Sequence, residues 1–144
     1  MTRKIKFRAW DNQRKMMILF DFSDLNGPNL RVPGDGLCLR PLAEFEIMQY
    51  TGLHDRLDKE IYEGDVVRIS EDRNGSSINL GFVSVVQYRG GAFVFRGVGG
   101  GWGPLVRVSG MKYAHVTEDS DGEILPLAEV VGNIYENPEL LEGD

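Results

Sequence analysis

The sequence predicts a mainly-β fold, and three observations support this prediction. Apolar and polar residues alternate with a period of two over several short segments, as in strands with one buried face. Glycine is abundant, at 18 of 144 residues, which favours many turns. No long segment repeats its apolar residues every 3.6 positions, as an amphipathic helix would. Short strands separated by glycine-containing turns are typical of a small barrel or a meander.

The first two strands are predicted to form a β-hairpin. Residues 4–10 alternate, and residues 16–22 form a second apolar run after a turn-like sequence at residues 11–14. We expect a loop of about four or five residues between them. One side of the first strand is apolar and the other combines basic residues with an aromatic one: Ile5, Phe7 and Ala9 against Lys4, Lys6, Arg8 and Trp10.

A connector follows the hairpin. Strong turn signals occur at residues 26–29 and 33–36, so we expect residues 23–43 to be a loop-rich connector with a short strand at residues 37–40. Alternation resumes over residues 45–51, where Ile47 and Gln49 oppose Met48 and Tyr50. We therefore divide the chain into an N-terminal part at residues 1–44 and a β-barrel domain at residues 45–144.

The clearest strand of the second part is predicted at residues 66–69. Gly64 tolerates the left-handed backbone that ends the preceding turn, and the Asp65 side chain can bond nearby backbone N–H groups. Two further strands, at residues 81–88 and 92–96, are joined by a tight turn at residues 89–91.

The remaining elements are less regular. We expect a hairpin tip at residues 73–77, a glycine-rich insert at 97–116 with a short strand at 105–108, and an acidic loop at 117–122. A last strand is predicted at residues 127–134 and a helical turn at residues 138–142. The predicted core consists of Ile47, Val67, Ile69, Val83, Val85, Phe93, Phe95, Val131 and Ile134.

Charge is unevenly distributed over this acidic chain, whose net charge is −6. Residues 1–16 hold six basic residues against one aspartate, and residues 117–144 hold nine carboxylates without a lysine or arginine. Three interpretations are open: the two ends offset each other, the basic end binds an acidic partner, or both are ordinary solvated surface. With one cysteine, no apolar run of about 18 residues and no secretory signal, we expect a soluble cytoplasmic protein without membrane contact.

The sequence predicts no catalytic, cofactor-binding or metal-binding residue. The glycine tract at residues 97–103 lacks the Lys-Ser or Lys-Thr pair of a phosphate loop. His54 and His115 lie far apart, and Cys38, between two leucines, is interpreted as a small buried residue. An acid/base pair among the C-terminal carboxylates, as in a hydrolase, is a third hypothesis that spacing alone does not establish.

The first strand is the strongest candidate for a binding site. The face that carries Lys4, Lys6, Arg8 and Trp10 has the character of a surface that follows a single-stranded nucleic acid and stacks a base. The acidic net charge opposes this interpretation, because it repels polyanions. The alternative is a solvated outer strand face whose charges prevent edge pairing.

Several segments resemble the YopX-like proteins of bacteriophages and prophages. They are IKFRAWD at residues 5–11, MQYTGLHD at 48–55, KEIYEGDVV at 59–67 and VGNIYENPELL at 131–141. The resemblance implies a β-rich fold with an SH3-like barrel built from the central and C-terminal parts, a phage origin and a location in the host cytoplasm. It implies no activity and no catalytic residues. Residues 23–43 and 97–116 do not match the family pattern.

We therefore expect a non-enzymatic accessory protein that acts through protein–protein contacts. Its partners would be further copies of itself, as a homo-oligomer, or a phage or host protein. A single-stranded nucleic-acid-binding module that uses Lys4, Lys6, Arg8 and Trp10 is the alternative function.

Overall fold

The computed structural model describes residues 4–32, 38–69, 82–96, 102–104, 116–118, 124–126 and 128–141. This part of the chain holds fifteen strands and three short 3₁₀ helices, which confirms the mainly-β class. The SH3-like arrangement within that class stays a prediction. The chain forms two compact units, Met1–Tyr50 and Thr51–Asp144, whereas the sequence analysis places the division between residues 44 and 45.

The first unit contains five strands and the start of a sixth. They are β1 (Phe7–Asp11), β2 (Met16–Phe20), β3 (Leu25–Asn26), β4 (Asn29–Val32), β5 (Cys38–Pro41) and the first part of β6 (Phe45–His54). β1 pairs antiparallel with β2 on one side and with β6 on the other, and β3, β4 and β5 form a second antiparallel sheet. Short 3₁₀ helices at Phe22–Asp24 and Leu42–Glu44 follow β2 and β5.

β1 and β2 form the predicted hairpin, with a loop of four residues between Asp11 and Met16. The carboxylate of Asp11 accepts the backbone N–H groups of Gln13 and Arg14 at 3.0 and 3.3 Å. Lys15 ends the loop in a left-handed conformation, with φ of 54°. A side chain that bonds the backbone two or three residues further on favours a turn over continued extension, so Asp11 determines where β1 stops.

The connector predicted at residues 23–43 contains more paired structure than expected, because most of its described residues belong to the β3–β4–β5 sheet. Gly27, with φ of 59°, makes the turn between β3 and β4, and β5 confirms the short strand expected at residues 37–40. The second turn signal, at residues 33–36, lies outside the described residues. Turn residues show where a chain reverses, but not whether the segments on either side are paired.

The core of the first unit draws on both of its sheets. It consists of Ala9, Ile18, Phe20, Leu30, Val32 and Phe45, with Phe7, Leu25 and Leu42 partly buried against it. Leu30 and Val32 share the buried face of β4, and the burial of each contributes about 1.5–3 kcal/mol to the free energy of unfolding. Cys38, which the sequence analysis interprets as buried, is half-buried on β5.

The second unit begins within β6 and contains nine further strands. They are β7 (Glu60–Tyr62), β8 (Asp65–Ile69), β9 (Phe82–Val85), β10 (Gln87–Arg89), β11 (Ala92–Arg96), β12 (Trp102–Pro104), β13 (Val116–Glu118), β14 (Ile124–Pro126) and β15 (Ala128–Asn133). β8 lies between β15 and β9, β11 lies between β10 and β12, and β13 pairs with β14, all antiparallel. β7 is the neighbour of β6.

Several local predictions for the second unit are confirmed. Gly90 and Gly91, with φ of 60° and 83°, make the tight turn between β10 and β11. Gly64, with φ of 86°, precedes β8 as expected. β15 and the 3₁₀ helix Pro138–Leu141 match the last predicted strand and helical turn.

The predicted core is partly wrong. The core of the second unit is formed by Leu53, Ile61, Val67, Val86, Phe95 and Ala128, with Phe93 and Val130 partly buried. Val67 and Phe95 are therefore confirmed as core residues, and Phe93 packs against the core while partly exposed. Ile47 and Val83 are exposed. Val85, Val131 and Ile134 are half-buried, and the side chain of Ile69 lies outside the described residues.

The error at Val83 concerns which face of the strand is buried. Ser84 and Val86 are buried, whereas Val83 is exposed and Val85 is half-buried, so the alternation holds but the covered face is the opposite of the expected one. The backbone of Val86 continues the contact with β8: its N–H donates to the carbonyl of Asp65 and its carbonyl accepts the N–H of Gly64, both at 2.8 Å. The small polar residue Ser84 therefore lies on the covered face, and the apolar Val83 does not.

The acidic loop predicted at residues 117–122 starts instead within β13. The hairpin tip at residues 73–77, the strand at 105–108, His115 and most of the glycine-rich insert lie outside the described residues. Within the part of the chain that is described, no helix has the length and apolar character needed to cross a bilayer.

Candidate functional site

The four predicted binding residues of the first strand differ in exposure. Lys4 is exposed and Lys6 is half-buried, with its Nζ 5.6 Å from the centroid of the Tyr50 ring. Arg8 and Trp10, however, are only 8% and 6% exposed. The solvated outer face expected for this strand is therefore wrong at Arg8 and Trp10. Whether these residues bind nucleic acid stays a prediction.

The neighbours of Arg8 in the sheet differ in exposure. Arg8 lies opposite Leu19 of β2, which is exposed, and Met48 of β6, which is buried. Alternation of residue types identifies which side chains share a face of a strand, but not which of them are covered by other residues. The basic character of the face was readable from the sequence, and its burial was not.

The outer edge of β2 is the most exposed apolar feature of the first unit. Within the described part of the chain, β2 pairs with β1 alone and forms one end of its sheet. Its sequence, MMILF, contains no charged residue, proline or glycine. Leu19 is 69% exposed, and Phe22, just beyond the strand, is also exposed.

Phe22 is fixed in place although it is exposed. Its ring packs edge-on against Phe7, with centroids 5.6 Å apart, and Phe7 stacks on Phe20 at the same distance. Asp21 supports the same segment, because its carboxylate accepts the backbone N–H of Ser23 at 2.8 Å and its own N–H donates to Asp24. The end of β2 therefore presents an ordered aromatic side chain at the surface.

Two other strands at sheet ends carry residues that discourage pairing, which β2 lacks. β5 contains Arg40 and Pro41, and β10 ends with Arg89. Charged residues and proline discourage a further strand from pairing with an edge. β2 has no such residue and combines an uncharged sequence with the most exposed leucine of the described residues, Leu19.

The opposite end of the hairpin is stabilised by an ion pair. Arg40 Nη1 lies 2.6 Å from Asp11 Oδ2, and its Nε lies 3.0 Å from Glu44 Oε2. The guanidinium carbon also lies 4.6 Å from the centroid of the Phe45 ring. Burial acts to raise the pKa of Asp11, but the hydrogen bonds from Arg40, Arg14 and Gln13 outweigh it and hold that pKa below the ordinary 3.8. The carboxylate is therefore ionised at neutral pH and serves to hold the turn.

Asp55 organises the turn that follows β6 in the second unit. It is fully buried, and its Oδ1 accepts the backbone N–H groups of Leu57 and Lys59 at 2.9 and 2.8 Å. Its own N–H donates to the carbonyl of Lys59, and the N–H of Asp58 donates to the carbonyl of Asp55. These bonds support Asp58 in a left-handed conformation, with φ of 67°.

The same turn covers the outer side of β15. Asp55 Oδ2 accepts the N–H of Val130, and the N–H of Arg56 donates to the carbonyl of Ala128, both at 2.8 Å. The side chain of Arg56 adds an ion pair with Glu129 at 2.9 Å. β15 is thus an edge protected by a loop, which is one of the ways in which proteins prevent unwanted strand pairing.

Two further buried polar residues shape turns in the second unit. Asp65 Oδ2 accepts the N–H of Tyr62 at 2.8 Å, as the sequence analysis expects for this residue. Asn133 accepts the N–H groups of Tyr135 and Glu136 at 3.0 and 2.9 Å, and so starts the turn after β15. The segments that carry the family resemblance are therefore turn-forming segments.

Asp65 is predicted from the sequence as a turn residue, whereas Asp55 and the β2 edge are not. Asp55 binds backbone N–H groups two and four residues further along the chain, and an aspartate in such a position is a turn signal that the sequence contains. Its bond to the distant Val130 could not be predicted from the sequence. Among the described residues, no group of three or more His, Cys, Asp and Glu side chains is placed to hold a metal ion.

These features define a mainly-β protein whose buried carboxylates hold turns and whose most exposed apolar strand lies at a sheet edge. The chain belongs to the YopX family, whose model, described as YopX protein, matches residues 6–142. The resemblance seen in the sequence is thereby confirmed.

Two solved structures have a similar fold. Protein EF1440 from Enterococcus faecalis is 24% identical, with a TM-score of 0.56 over 97% of this chain and 99% of that one. Protein yopX from Bacillus subtilis is 20% identical, with a TM-score of 0.57 over 96% of this chain and 98% of that one. At these identities the similarity shows the fold alone. No curated protein sequence matches the chain.

Proposed function

We propose that the protein is a non-enzymatic accessory protein of a phage or prophage that acts through protein–protein contacts and assembles into homo-oligomers. The observation that carries the proposal is the exposed apolar edge of β2. An unpaired strand edge presents backbone donors and acceptors to a strand of another chain. Removal of Leu19 and Phe22 from water adds a hydrophobic contribution to such a contact.

The hydrogen bonds of the buried carboxylates support the proposal that the protein is not an enzyme. Asp11, Asp55 and Asp65 each accept backbone N–H groups in turns. A carboxylate bound in this way stabilises the fold and is poorly placed to transfer protons to a substrate. The phage origin and a location in the host cytoplasm are proposed from membership of the YopX family.

Light scattering coupled to gel filtration tests the homo-oligomer. We expect a mass that is a multiple of the 16.2 kDa chain and that increases with protein concentration. A monomer at all concentrations up to the highest micromolar range would overturn the proposal.

A matched pair of variants tests whether the β2 edge makes the contact. Leu19 is 69% exposed and Leu57, in the Asp55 turn of the second unit, is 67% exposed. Leu19→Lys and Leu57→Lys therefore remove similar exposed apolar surface and add the same charge. We expect only Leu19→Lys to lower the mass. Equal effects of the two variants would show that general surface hydrophobicity, and not β2, drives association.

A further inference from the structure

The two ends of the β2 edge carry opposite charges. Lys15 lies immediately before the strand and Asp21 immediately after it, with only the apolar MMILF sequence between them. Hydrogen bonds from the hydroxyl and the backbone N–H of Ser23 lower the pKa of Asp21, so its carboxylate is charged at neutral pH. The edge is therefore a short apolar strip with a positive and a negative end.

We propose that two copies of the chain join by antiparallel pairing of β2 with β2 about a twofold axis at Ile18. This inference rests on the proposed homo-oligomer and specifies its interface. In this register the end of β2 that carries Lys15 meets the end that carries Asp21 of the second copy, and the reciprocal pair forms at the other end. Lys15 lies in the loop just outside the strand, so its flexible side chain would exchange its exposed 3.0 Å bond to Asn12 Oδ1 for the carboxylate. Parallel pairing in register would instead place Lys15 opposite Lys15 and Asp21 opposite Asp21, which is unfavourable.

The faces of the strand agree with the same register. Met17 lies opposite Leu19 of the second copy, and both side chains belong to the face on which Leu19 is exposed. Ile18 lies opposite Ile18, and Met16 lies opposite Phe20, on the face that packs into the core of the first unit. A register shifted by two residues places Lys15 opposite Leu19 or Ser23 and loses both ion pairs.

The small size of the contact predicts a reversible dimer. Five paired residues per copy bury less than the roughly 1,200–2,000 Å² of a standard interface. We therefore expect dimer and monomer to exchange, with a dimer fraction that depends on protein concentration and decreases at high salt.

A charge-reversal mixing experiment tests the register. Lys15→Asp alone places two like-charged pairs in the dimer, as does Asp21→Lys alone, and each variant is expected to dimerise roughly tenfold more weakly. A mixture of the two variants restores both opposite-charge pairs, so heterodimers should form in preference to either homodimer. Analytical ultracentrifugation of each variant and of the equimolar mixture, with one variant fluorescently labelled, measures this preference.

The outcomes separate this inference from the proposed function. A monomeric parent protein overturns both. A parent that associates, with variants that associate equally well and show no preference for each other, overturns the β2 register and leaves the homo-oligomer standing.

Hydrogen–deuterium exchange of the parent protein provides a test that needs no substitution. Amides of residues 16–20 should become more protected as protein concentration increases, whereas those of β4 should not change. Protection of β2 that does not depend on concentration, in a protein that associates, rejects this interface even if the variants do not fold.

Discussion

Asp55 and Val130, 75 positions apart in the chain, are joined by a 2.8 Å hydrogen bond from the Val130 N–H to the Asp55 carboxylate. The same carboxylate holds two N–H groups of its own turn, so one buried side chain both shapes a loop and fixes that loop to a strand. Bonds from N–H groups to a charged acceptor are stronger than those between neutral groups. Asp55 is therefore expected to be the most sensitive polar position of the second unit.

Replacement of Asp55 by alanine should destabilise the protein by about 3 kcal/mol, because three backbone N–H groups lose a fully buried, charged acceptor. Urea unfolding followed by circular dichroism measures the change in midpoint. Glu136→Ala is a suitable control, because its side chain is exposed. An unchanged midpoint for Asp55→Ala would show that water or neighbouring groups satisfy the turn equally well.

The Asp11–Arg40 pair predicts a specific dependence of stability on pH. The pKa of Asp11 is lower in the folded protein than its ordinary 3.8, so the folded state favours the ionised carboxylate. This contribution to stability is fully present above the ordinary pKa and is lost as the pH falls through the lower folded pKa. Asp11→Asn should therefore reduce stability at about pH 7, and the difference from the parent should shrink towards about pH 3.

Thermal unfolding of both proteins across this pH range measures the difference. Asp11→Asn keeps the size of the side chain, so the comparison isolates its charge. A stability difference that stays constant with pH contradicts a contribution from the ionised Asp11.

Gly132 predicts a packing effect. A Cβ atom at this position would lie 2.5 Å from Asn137 Oδ1 and 2.8 Å from Leu140 Cδ1. Gly132→Ala should therefore displace the side chains of Asn137 and Leu140 and cost about 1–3 kcal/mol in the free energy of unfolding. Gly52→Ala is the informative comparison, because Gly52 has open space around it but a φ of 86°.

Two further substitutions should distinguish crowding at Gly132 from backbone strain at Gly52. Leu140→Ala should recover part of the stability lost in Gly132→Ala, because it makes room for the new methyl group. Asn tolerates left-handed backbone better than Ala, so Gly52→Asn should be more stable than Gly52→Ala. Chemical denaturation of the four proteins measures both differences, and a lack of recovery by Leu140→Ala argues against crowding by Leu140.

Trp10 provides a test of the nucleic-acid hypothesis. The chain has two tryptophans, so Trp102→Phe leaves Trp10 as the sole indole. Because Trp10 is buried, we expect blue-shifted emission and weak quenching by acrylamide, compared with the same variant in urea. Addition of single-stranded oligonucleotide should leave this emission unchanged. Salt-sensitive quenching by the oligonucleotide would instead restore Lys4, Lys6, Arg8 and Trp10 as a binding surface.

The sequence alone was sufficient for features that depend on a few neighbouring residues. The β1–β2 hairpin, the Gly90-Gly91 turn and the start of β8 at Gly64-Asp65 all follow from local backbone preferences and local hydrogen bonds. The mainly-β class follows from the same signals repeated along the chain. The family could also be recognised, since the segments that carry it are these turns and their strands.

Tertiary structure decided which faces and edges are covered. Alternation at residues 4–10 identified the two faces of β1, but burial of Arg8 and Trp10 depends on neighbours from other strands. Likewise, the covered face of the β9 segment carries Ser84 and Val86 and not Val83, and Asp55 protects β15 because the chain brings Val130 beside it. Local propensity acts over a few bonds, whereas coverage is determined by residues distant in sequence. Only the folded chain therefore shows that, among the described residues, β2 pairs with β1 alone.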